Sequence, residues 1–211
     1  MLTFYYAPGT CSLVSHIALH EAEAEHEAHR LDFARGDQQG EDYLRVNPHG
    51  RVPALVTAEG TITENIAILN YLADRFGQDG SVPTGDPFGR ARANQLLGWF
   101  ASSVHIAFAQ MFRPNRFSPD DAAHQAINDG GRAALSSYFN ELDDLCGEGW
   151  LAGSGFTAAD SYAAVFHRWA RLRGFDMSVY PRWTALVSRV VERPTVLRAL
   201  EHEGLKATDF A

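Results

Sequence analysis

The sequence predicts an α/β unit over residues 1–77, followed by an all-helical unit over residues 88–211. Short apolar stretches alternate with helix-period segments in the first unit, whereas only the helical period recurs in the second. Between them, residues 78–87 are rich in Gly, Asp, Pro, Ser and Thr, a composition typical of a linker. A chain of 211 residues can build two small domains of this kind.

The first apolar strand, Phe4 to Tyr6, leads through a Pro-Gly turn into a helix that begins near Cys11. A thiol at a helix start meets unpaired backbone N–H groups and the positive end of the helix dipole. Both favour the thiolate, so the position predicts a reactive cysteine with a lowered pKa. The alternative is a small buried residue that closes the turn.

The next segment, residues 27–33, alternates in polarity and predicts a second strand. The helix between the two strands is then a crossover, so the strands pair in parallel. Residues 34–39 are polar and predict a loop. Residues 41–46 predict a short helix that ends before Asn47-Pro48, because a proline disfavours helix at the residue before it.

A third strand, ending at Val56, is entered through Pro53, which must lie at a strand start or an edge because it has no N–H to donate. The sequence leaves open whether the Val52–Pro53 bond is cis or trans. A cis bond would turn the backbone of Val52 outward, where it can pair with a peptide-like ligand. Thr61-Ile62 predicts a short partner strand.

Residues 63–76 predict an amphipathic helix with Glu64 and Asn65 in its first turn. The helix dipole alone would explain a carboxylate at this position, because it stabilises negative charge in the first helical turn. The alternative is a binding role, in which Glu64 pairs with a ligand ammonium while free N–H groups at the helix start hold a ligand carboxylate.

The second unit predicts a long helix over residues 88–111 and a second helix that opens at Ser118-Pro119-Asp120-Asp121 and ends near Leu145. Thr157 and Asp160 match a capping box at the start of a largely buried helix. Two closing helices are expected, at residues 181–192 and 195–202, split by Pro194.

Composition excludes several classes of function. The net charge is −8 and no run of Lys and Arg is present, which argues against a nucleic-acid partner. No apolar run approaches the ~18 residues that span a membrane, and the N-terminus does not match a signal peptide. Two distant cysteines, Cys11 and Cys146, fit a reducing cytoplasm better than a disulfide scaffold.

The predicted order of the first unit, β-α-β-α-β-β-α with a cysteine after β1 and a proline before β3, is the thioredoxin-like arrangement. With the helical unit that follows, the whole chain resembles the cytosolic glutathione S-transferases, most closely the bacterial beta class. The motifs that carry the resemblance are Tyr6-Ala7-Pro8-Gly9-Thr10-Cys11-Ser12-Leu13, Asp42-Tyr43-Leu44, Asn47-Pro48-His49-Gly50-Arg51-Val52-Pro53-Ala54-Leu55, Thr63-Glu64-Asn65-Ile66-Ala67-Ile68, His105 and Phe156-Thr157-Ala158-Ala159-Asp160.

This resemblance implies conjugation of glutathione, the co-substrate, to small hydrophobic electrophiles, with thiol–disulfide exchange through Cys11 as a second activity. It implies catalytic roles for Cys11 and His105, a cytoplasmic homodimer, and no cofactor, metal, membrane or nucleic-acid partner. His105 would otherwise be a satisfied core residue. The glutathione-binding residues it implies are Tyr6, Arg35, Arg51, Val52, Pro53, Glu64 and Asn65, and those of the electrophile site are Phe108, Phe112 and Trp169.

Several residues depart from the family pattern. Asn65 stands where serine or glycine is usual, Arg51 replaces a frequent glutamine, and Arg35 is a possible substitute for a missing lysine. Tyr6 is either a donor to the sulfur or a core residue. The competing functions are a non-catalytic binding protein of the same fold and a glutathione-dependent isomerase or dehalogenase.

His16 and His20 lie one helical turn apart and could in principle bind a metal. The sequence suggests no third ligand. We therefore expect a solvated helix face at these two histidines.

Overall fold

The structure, a computed structural model, describes residues 1–77 and 81–210, so the first part of the expected linker, residues 78–80, lies outside the described residues. The N-terminal part is built on a four-stranded sheet with the order β2-β1-β3-β4. β1 and β2 are parallel, and the other pairs are antiparallel, as expected for a crossover followed by a hairpin. The strands are β1 (Leu2–Tyr6), β2 (His26–Arg30), β3 (Ala54–Thr57) and β4 (Gly60–Thr63).

Three helices complete this thioredoxin-like part: α1 (Ser12–Glu21), α2 (Glu41–Val46) and α3 (Asn65–Phe76). Nearly all of α1 is buried, because it packs against β1 and α3 and also against the helical part of the chain. α1 is therefore the element through which the two parts meet.

The helical part has helices of very different length. They are α4 (Pro87–Trp99), α5 (His105–Phe112), α6 (Asp121–Leu145), α7 (Ala158–Leu172), α8 (Pro181–Val191) and α9 (Pro194–Glu203). α1 contacts α7 and α9, and α7 packs against α8. Among the helices of residues 1–77 and 81–210, none is both long and apolar enough to cross a membrane.

Prolines mark three boundaries that differ from the sequence-based expectations. Pro87 opens α4 instead of ending the linker, and Asp86 caps that helix by accepting from the Phe88 N–H at 3.0 Å. Pro119 lies before α6, which is capped by Asp120, and Pro194 opens α9 instead of separating it from α8. Proline is tolerated at the first helical position because its missing N–H would have no partner there.

The predicted long helix over residues 88–111 is interrupted by a π-helical turn, Phe100–Val104, between α4 and α5. A π turn inserts an extra residue into the helical ladder, and such turns are frequent at functional sites. It ends immediately before His105, the first residue of α5.

The expected capping box is present at the start of α7. The Thr157 N–H and hydroxyl both donate to Asp160 Oδ2, at 2.8 and 3.1 Å, and the Leu151 N–H donates to Asp160 Oδ1 at 2.9 Å. Asp160 is fully buried, so these three donors stabilise a carboxyl group that has no access to water.

Candidate active site

Two adjoining cavities open where the thioredoxin-like part meets α5 and α7. The first, of about 330 Å³, is mostly apolar, and the second, of about 290 Å³, is more polar. Both are lined by Cys11, Arg51, Val52 and His105. Residues from distant parts of the sequence therefore form one continuous site.

Cys11 is the N-cap residue of α1, as predicted, and its thiol donates to the Val52 carbonyl at 3.5 Å. Its pKa, however, is raised to about 12, first by burial and next by the nearby Glu64 carboxylate, which corrects the expected lowering. The N–H groups that were expected to face the sulfur are used in the turn. The Leu13 N–H donates to the Thr10 carbonyl at 3.1 Å, and the Val14 N–H donates to the Cys11 carbonyl at 3.2 Å. Cys11 is therefore a protonated thiol at neutral pH.

The Val52–Pro53 peptide bond is cis, which settles the alternative that the sequence left open. Val52 lines both cavities, directly opposite Cys11. Two side chains, Tyr43 and Asn47, donate hydrogen bonds to the Arg51 carbonyl and hold the loop that enters β3. The backbone at Val52 is thus a fixed wall of the site.

Glu64 is the N-cap residue of α3 and not part of its first turn, and its φ is +69°. This left-handed backbone is uncommon for a residue with a side chain and is often found at functional positions. The Glu64 side chain makes no capping hydrogen bond and lines the second cavity. Its carboxylate is therefore oriented for a ligand and not for its own helix.

Asn65 has a structural role that the sequence did not indicate. Its Nδ2 donates to the Cys11 carbonyl at 2.9 Å, and its Oδ1 accepts from the Ser15 hydroxyl at 2.6 Å. The side chain ties α3 to α1, whereas the backbone N–H of this first helical residue has no intrahelical partner.

His105 faces both cavities, and its Nδ1 lies 3.1 Å from the Tyr162 hydroxyl. Burial, followed by the charges of Arg116, Arg51 and Arg113, lowers the pKa of His105 to about 4. The imidazole is therefore neutral at physiological pH. Burial also raises the pKa of Tyr162 well above its usual value, and a hydrogen bond with the Asn65 side chain opposes that shift.

Four arginines line the first cavity: Arg51, Arg113, Arg116 and Arg168. Within residues 1–77 and 81–210, Arg51, Arg113 and Arg116 have no carboxylate within ion-pair distance. Sequence reasoning overlooked Arg113 and Arg116, although two arginines beside Pro114 at the end of a helix were a visible signal. The cavity thus carries positive charge suited to an anionic ligand.

Of the three residues predicted for the electrophile site, two line the first cavity and one lies in the core. Phe112 and Trp169 line the first cavity as expected, together with Phe33 and Leu172. Phe108 does not, because its position on α5 turns it into the core, where it stacks on Phe166 with ring centroids 5.5 Å apart.

Two predicted glutathione-binding residues lie outside both cavities. Tyr6 is buried in the core, because strand alternation points it toward α1, and its hydroxyl donates to the His202 carbonyl at 3.4 Å. Arg35 is exposed in the loop after β2 and lines neither cavity, although Phe33 of the same loop lines the first. Tyr162 and Asn47, by contrast, line the second cavity without having been predicted.

The fold and site together define a two-part protein in which a thioredoxin-like sheet presents a cysteine and a cis-proline to a helical bundle. Family models for the glutathione S-transferase N-terminal and C-terminal domains match residues 1–74 and 125–189. The chain belongs to the glutathione S-transferase family, as the sequence motifs predicted.

Several similar proteins come from bacteria. Glutathione S-transferase GST-4.5 of Xanthomonas campestris is 35% identical over 205 residues, which cover 97% of this chain and all of that protein. A solved glutathione transferase homologue from Sulfitobacter with bound glutathione is 31% identical, with a TM-score of 0.90 and coverage of 98% and 99%. A solved beta-class enzyme from Sphingomonas chungbukensis is 37% identical, with a TM-score of 0.83 and coverage of 97% and 100%. These neighbours agree with the predicted beta class.

Proposed function

We propose that this transferase binds glutathione in the second cavity and joins its sulfur to a hydrophobic electrophile held in the first. The observation that carries the proposal is the convergence of Cys11, the Val52 backbone, Glu64 and His105 on adjoining cavities. The Sulfitobacter homologue, of nearly the same length and fold, was solved with glutathione bound.

Glutathione offers an ammonium, two carboxylates, a peptide backbone and a thiol. The Glu64 carboxylate pairs with the γ-glutamyl ammonium, and the free N–H groups at the start of α3 hold the neighbouring carboxylate. The Val52 backbone pairs with the cysteinyl residue in an extended arrangement. Arg51, which lines both cavities, attracts the other carboxylate.

Thiolate stabilisation rests on a chain of hydrogen bonds. The Tyr162 hydroxyl lies 3.1 Å from Nδ1 of neutral His105, and in the proposed tautomer it donates to Nδ1, which leaves the proton on Nε2. His105 Nε2–H is thus a donor to the glutathione sulfur. The Cys11 thiol becomes a second donor when glutathione pairs with the Val52 backbone and releases the Cys11–Val52 bond, and the two donors stabilise the thiolate electrostatically.

The reaction follows from this arrangement. The glutathione thiol gives its proton to solvent, and the thiolate attacks the electrophilic carbon while the leaving group departs with its electron pair. Phe112, Trp169 and Leu172 supply the apolar walls of the electrophile site.

Cys11 supports a second activity. Its thiolate attacks one sulfur of oxidised glutathione to form a mixed disulfide, and the second glutathione leaves as a thiolate that takes up a proton. The raised pKa of Cys11 makes this exchange slow at neutral pH.

The test compares wild type with His105→Gln and with His124→Gln, a control on α6 that lines neither cavity. Conjugation of glutathione to 1-chloro-2,4-dinitrobenzene is followed by absorbance, and glutathione affinity by calorimetry. We expect His105→Gln to lower kcat at least tenfold with little change in affinity, because its donor acts on the thiolate. Glutathione binding without conjugation of any electrophile in a broad panel would favour a non-catalytic binding protein.

We also propose a cytoplasmic homodimer. Phe88, at the start of α4, is a large apolar side chain that is 76% exposed, so a partner subunit that covers it would remove apolar surface from water. Light scattering of Phe88→Ser should show a shift toward monomer that Phe117→Ser, an exposed aromatic before α6, does not produce. A monomeric wild type would contradict the proposal.

A further inference from the structure

A cluster of histidines lies away from the cavities, where α1 meets β2 and α9. His16 and His20 stack one turn apart on α1, with ring centroids 5.2 Å apart. His26, at the start of β2, brings a third ring, and one nitrogen from each of the three rings lies within 4.8 Å of the others. The third ligand that the sequence did not suggest is therefore supplied by the tight connection between α1 and β2.

Two of these rings have a buried nitrogen with no partner. Within the described part of the chain, His16 Nε2 and His20 Nε2 have no hydrogen bond and no exposure to water. His16 is completely buried. Buried polar atoms in proteins are nearly always paired, so two unpaired ring nitrogens beside each other indicate a missing ligand.

The opposite ring nitrogens of two of these histidines have hydrogen-bond partners. His16 Nδ1 lies 3.0 Å from Glu203 Oε1, and His26 Nδ1 lies 2.7 Å from the Ala24 carbonyl. A metal-binding histidine usually donates its other ring N–H to a carboxylate or a backbone carbonyl in this way. The Ala24 carbonyl requires the proton of His26 on Nδ1, and an ionised Glu203 requires the same of His16; in that state the Nε2 lone pairs of both rings are available for a metal.

We propose that His16, His20 and His26 form a binding site for a divalent transition-metal ion of the Zn²⁺ type. Imidazole nitrogen is a preferred ligand for Zn²⁺. Zn–N bonds of about 2.0–2.1 Å in tetrahedral geometry place ligand nitrogens roughly 3.3 Å apart, so the rings must close slightly on the ion. His202, whose ring centroid lies 5.0 Å from that of His20, or a water molecule completes the tetrahedron.

The charged side chains around the histidine cluster are compatible with a bound cation. A surface hollow beside the cluster is lined by His20, His26, Glu23 and Glu25, so two carboxylates flank the entry. Arg198 also lines the hollow and opposes a cation there. The carboxylates outnumber it, and the Glu203 carboxyl lies on the buried side.

Protons do not compete strongly for these ligands. Burial, then the neighbouring histidines, lowers the pKa of His16 and of His20 to about 3. Both rings are therefore neutral at pH 7, which is the form that binds a metal.

The experiment measures Zn²⁺ binding by calorimetry on protein stripped with EDTA and desalted. All proteins carry Cys11→Ala, which removes the thiol of the other site as a competing ligand. The variants are His20→Gln and His26→Gln, and the matched control is His29→Gln, a partly exposed histidine on the same strand as His26. Co²⁺ absorption provides a second readout, because tetrahedral Co²⁺ gives intense visible bands and octahedral Co²⁺ does not.

We expect one Zn²⁺ per chain, an affinity at least tenfold lower in both variants, and an unchanged affinity in the control. The tetrahedral Co²⁺ bands should disappear in the variants. No binding by the parent protein, equal affinity in all variants, or a purely octahedral Co²⁺ spectrum would overturn the proposal. If His20→Gln does not fold, His26→Gln decides, because His26 is half-buried at a strand end.

Discussion

Cys11 combines a position that activates thiols with surroundings that keep it protonated. It caps α1, but its carbonyl and that of Thr10 accept the N–H groups that would otherwise face its sulfur. Burial and the Glu64 charge then raise its pKa to about 12. In this free protein, Cys11 acts as a hydrogen-bond donor and only weakly as a nucleophile.

This protonation state predicts how Cys11 reacts with iodoacetamide. In a Cys146→Ser background, the alkylation rate should rise about tenfold per pH unit from pH 7 to pH 10, because only the thiolate reacts and its fraction grows with pH. Mass spectrometry of samples quenched at intervals measures the rate. A plateau beginning below pH 8 would show instead that the helix start activates the thiol.

The sequence predicts a residue's place in the site correctly where a local motif fixes the backbone geometry around that residue. Cys11, Val52 and Glu64 line the site because each belongs to a short motif at an element boundary, whereas His105, which also lines it, was predicted from the family resemblance alone. Tyr162 was missed because its link to His105 spans 57 positions, a separation that no local pattern encodes.

Helix boundaries decide much of the site's geometry. The π turn that ends before His105 sets which face of α5 reaches the cavity, and this turn has no sequence signature comparable to a proline or a capping box. The helices and strands themselves were predictable from hydrophobic period. The helix starts differ from expectation near Pro87, Pro119 and Pro194, because a proline can be the first residue of a helix or lie just before it.

The capping box of α7 leads to a prediction about stability. Asp160→Ala should lower the free energy of unfolding by about 2–3 kcal/mol, because it removes a cap and leaves two buried N–H groups unpaired. Urea denaturation measures the change. The control Asp120→Ala removes an exposed cap of α6 and should cost only about 1 kcal/mol; equal losses would contradict the role of burial.

The whole molecule should be most stable near pH 6.5. Four histidines have pKa values lowered mainly by burial, to about 3 for two of them and about 4 for the others, so the unfolded chain binds more protons at acidic pH. Stability therefore rises with pH through the range from 4 to 6.5. The Glu203 pKa is raised from 4.5 to about 8, so this carboxyl group lowers stability as the pH rises between those two values; the histidines outweigh it below pH 6.5, and above pH 6.5 its effect remains. The four histidines are His16, His20, His105 and His167.

Urea unfolding in EDTA from pH 4.5 to pH 8.5 measures this curve. His167→Gln removes one histidine that is buried in the helical core, lies within hydrogen-bond distance of Thr184 and lines neither cavity. The free energy of unfolding of this variant should rise less steeply with pH between pH 5 and 6.5, by up to about 1.4 kcal/mol per pH unit. An unchanged slope in this variant would contradict the assignment of that proton to His167.

The central claim is that glutathione binds across the start of α3 and the Val52 edge, with Glu64 on its ammonium. Calorimetric titration with glutathione tests it most directly, comparing wild type with Glu64→Gln and with Glu59→Gln, an exposed control in the turn between β3 and β4. The account predicts saturable binding that is weakened about tenfold or more by Glu64→Gln, because a charge-assisted hydrogen bond is lost, and that is unchanged by Glu59→Gln. Glutathione affinity that is the same in all three proteins, or no binding by wild type, would contradict it.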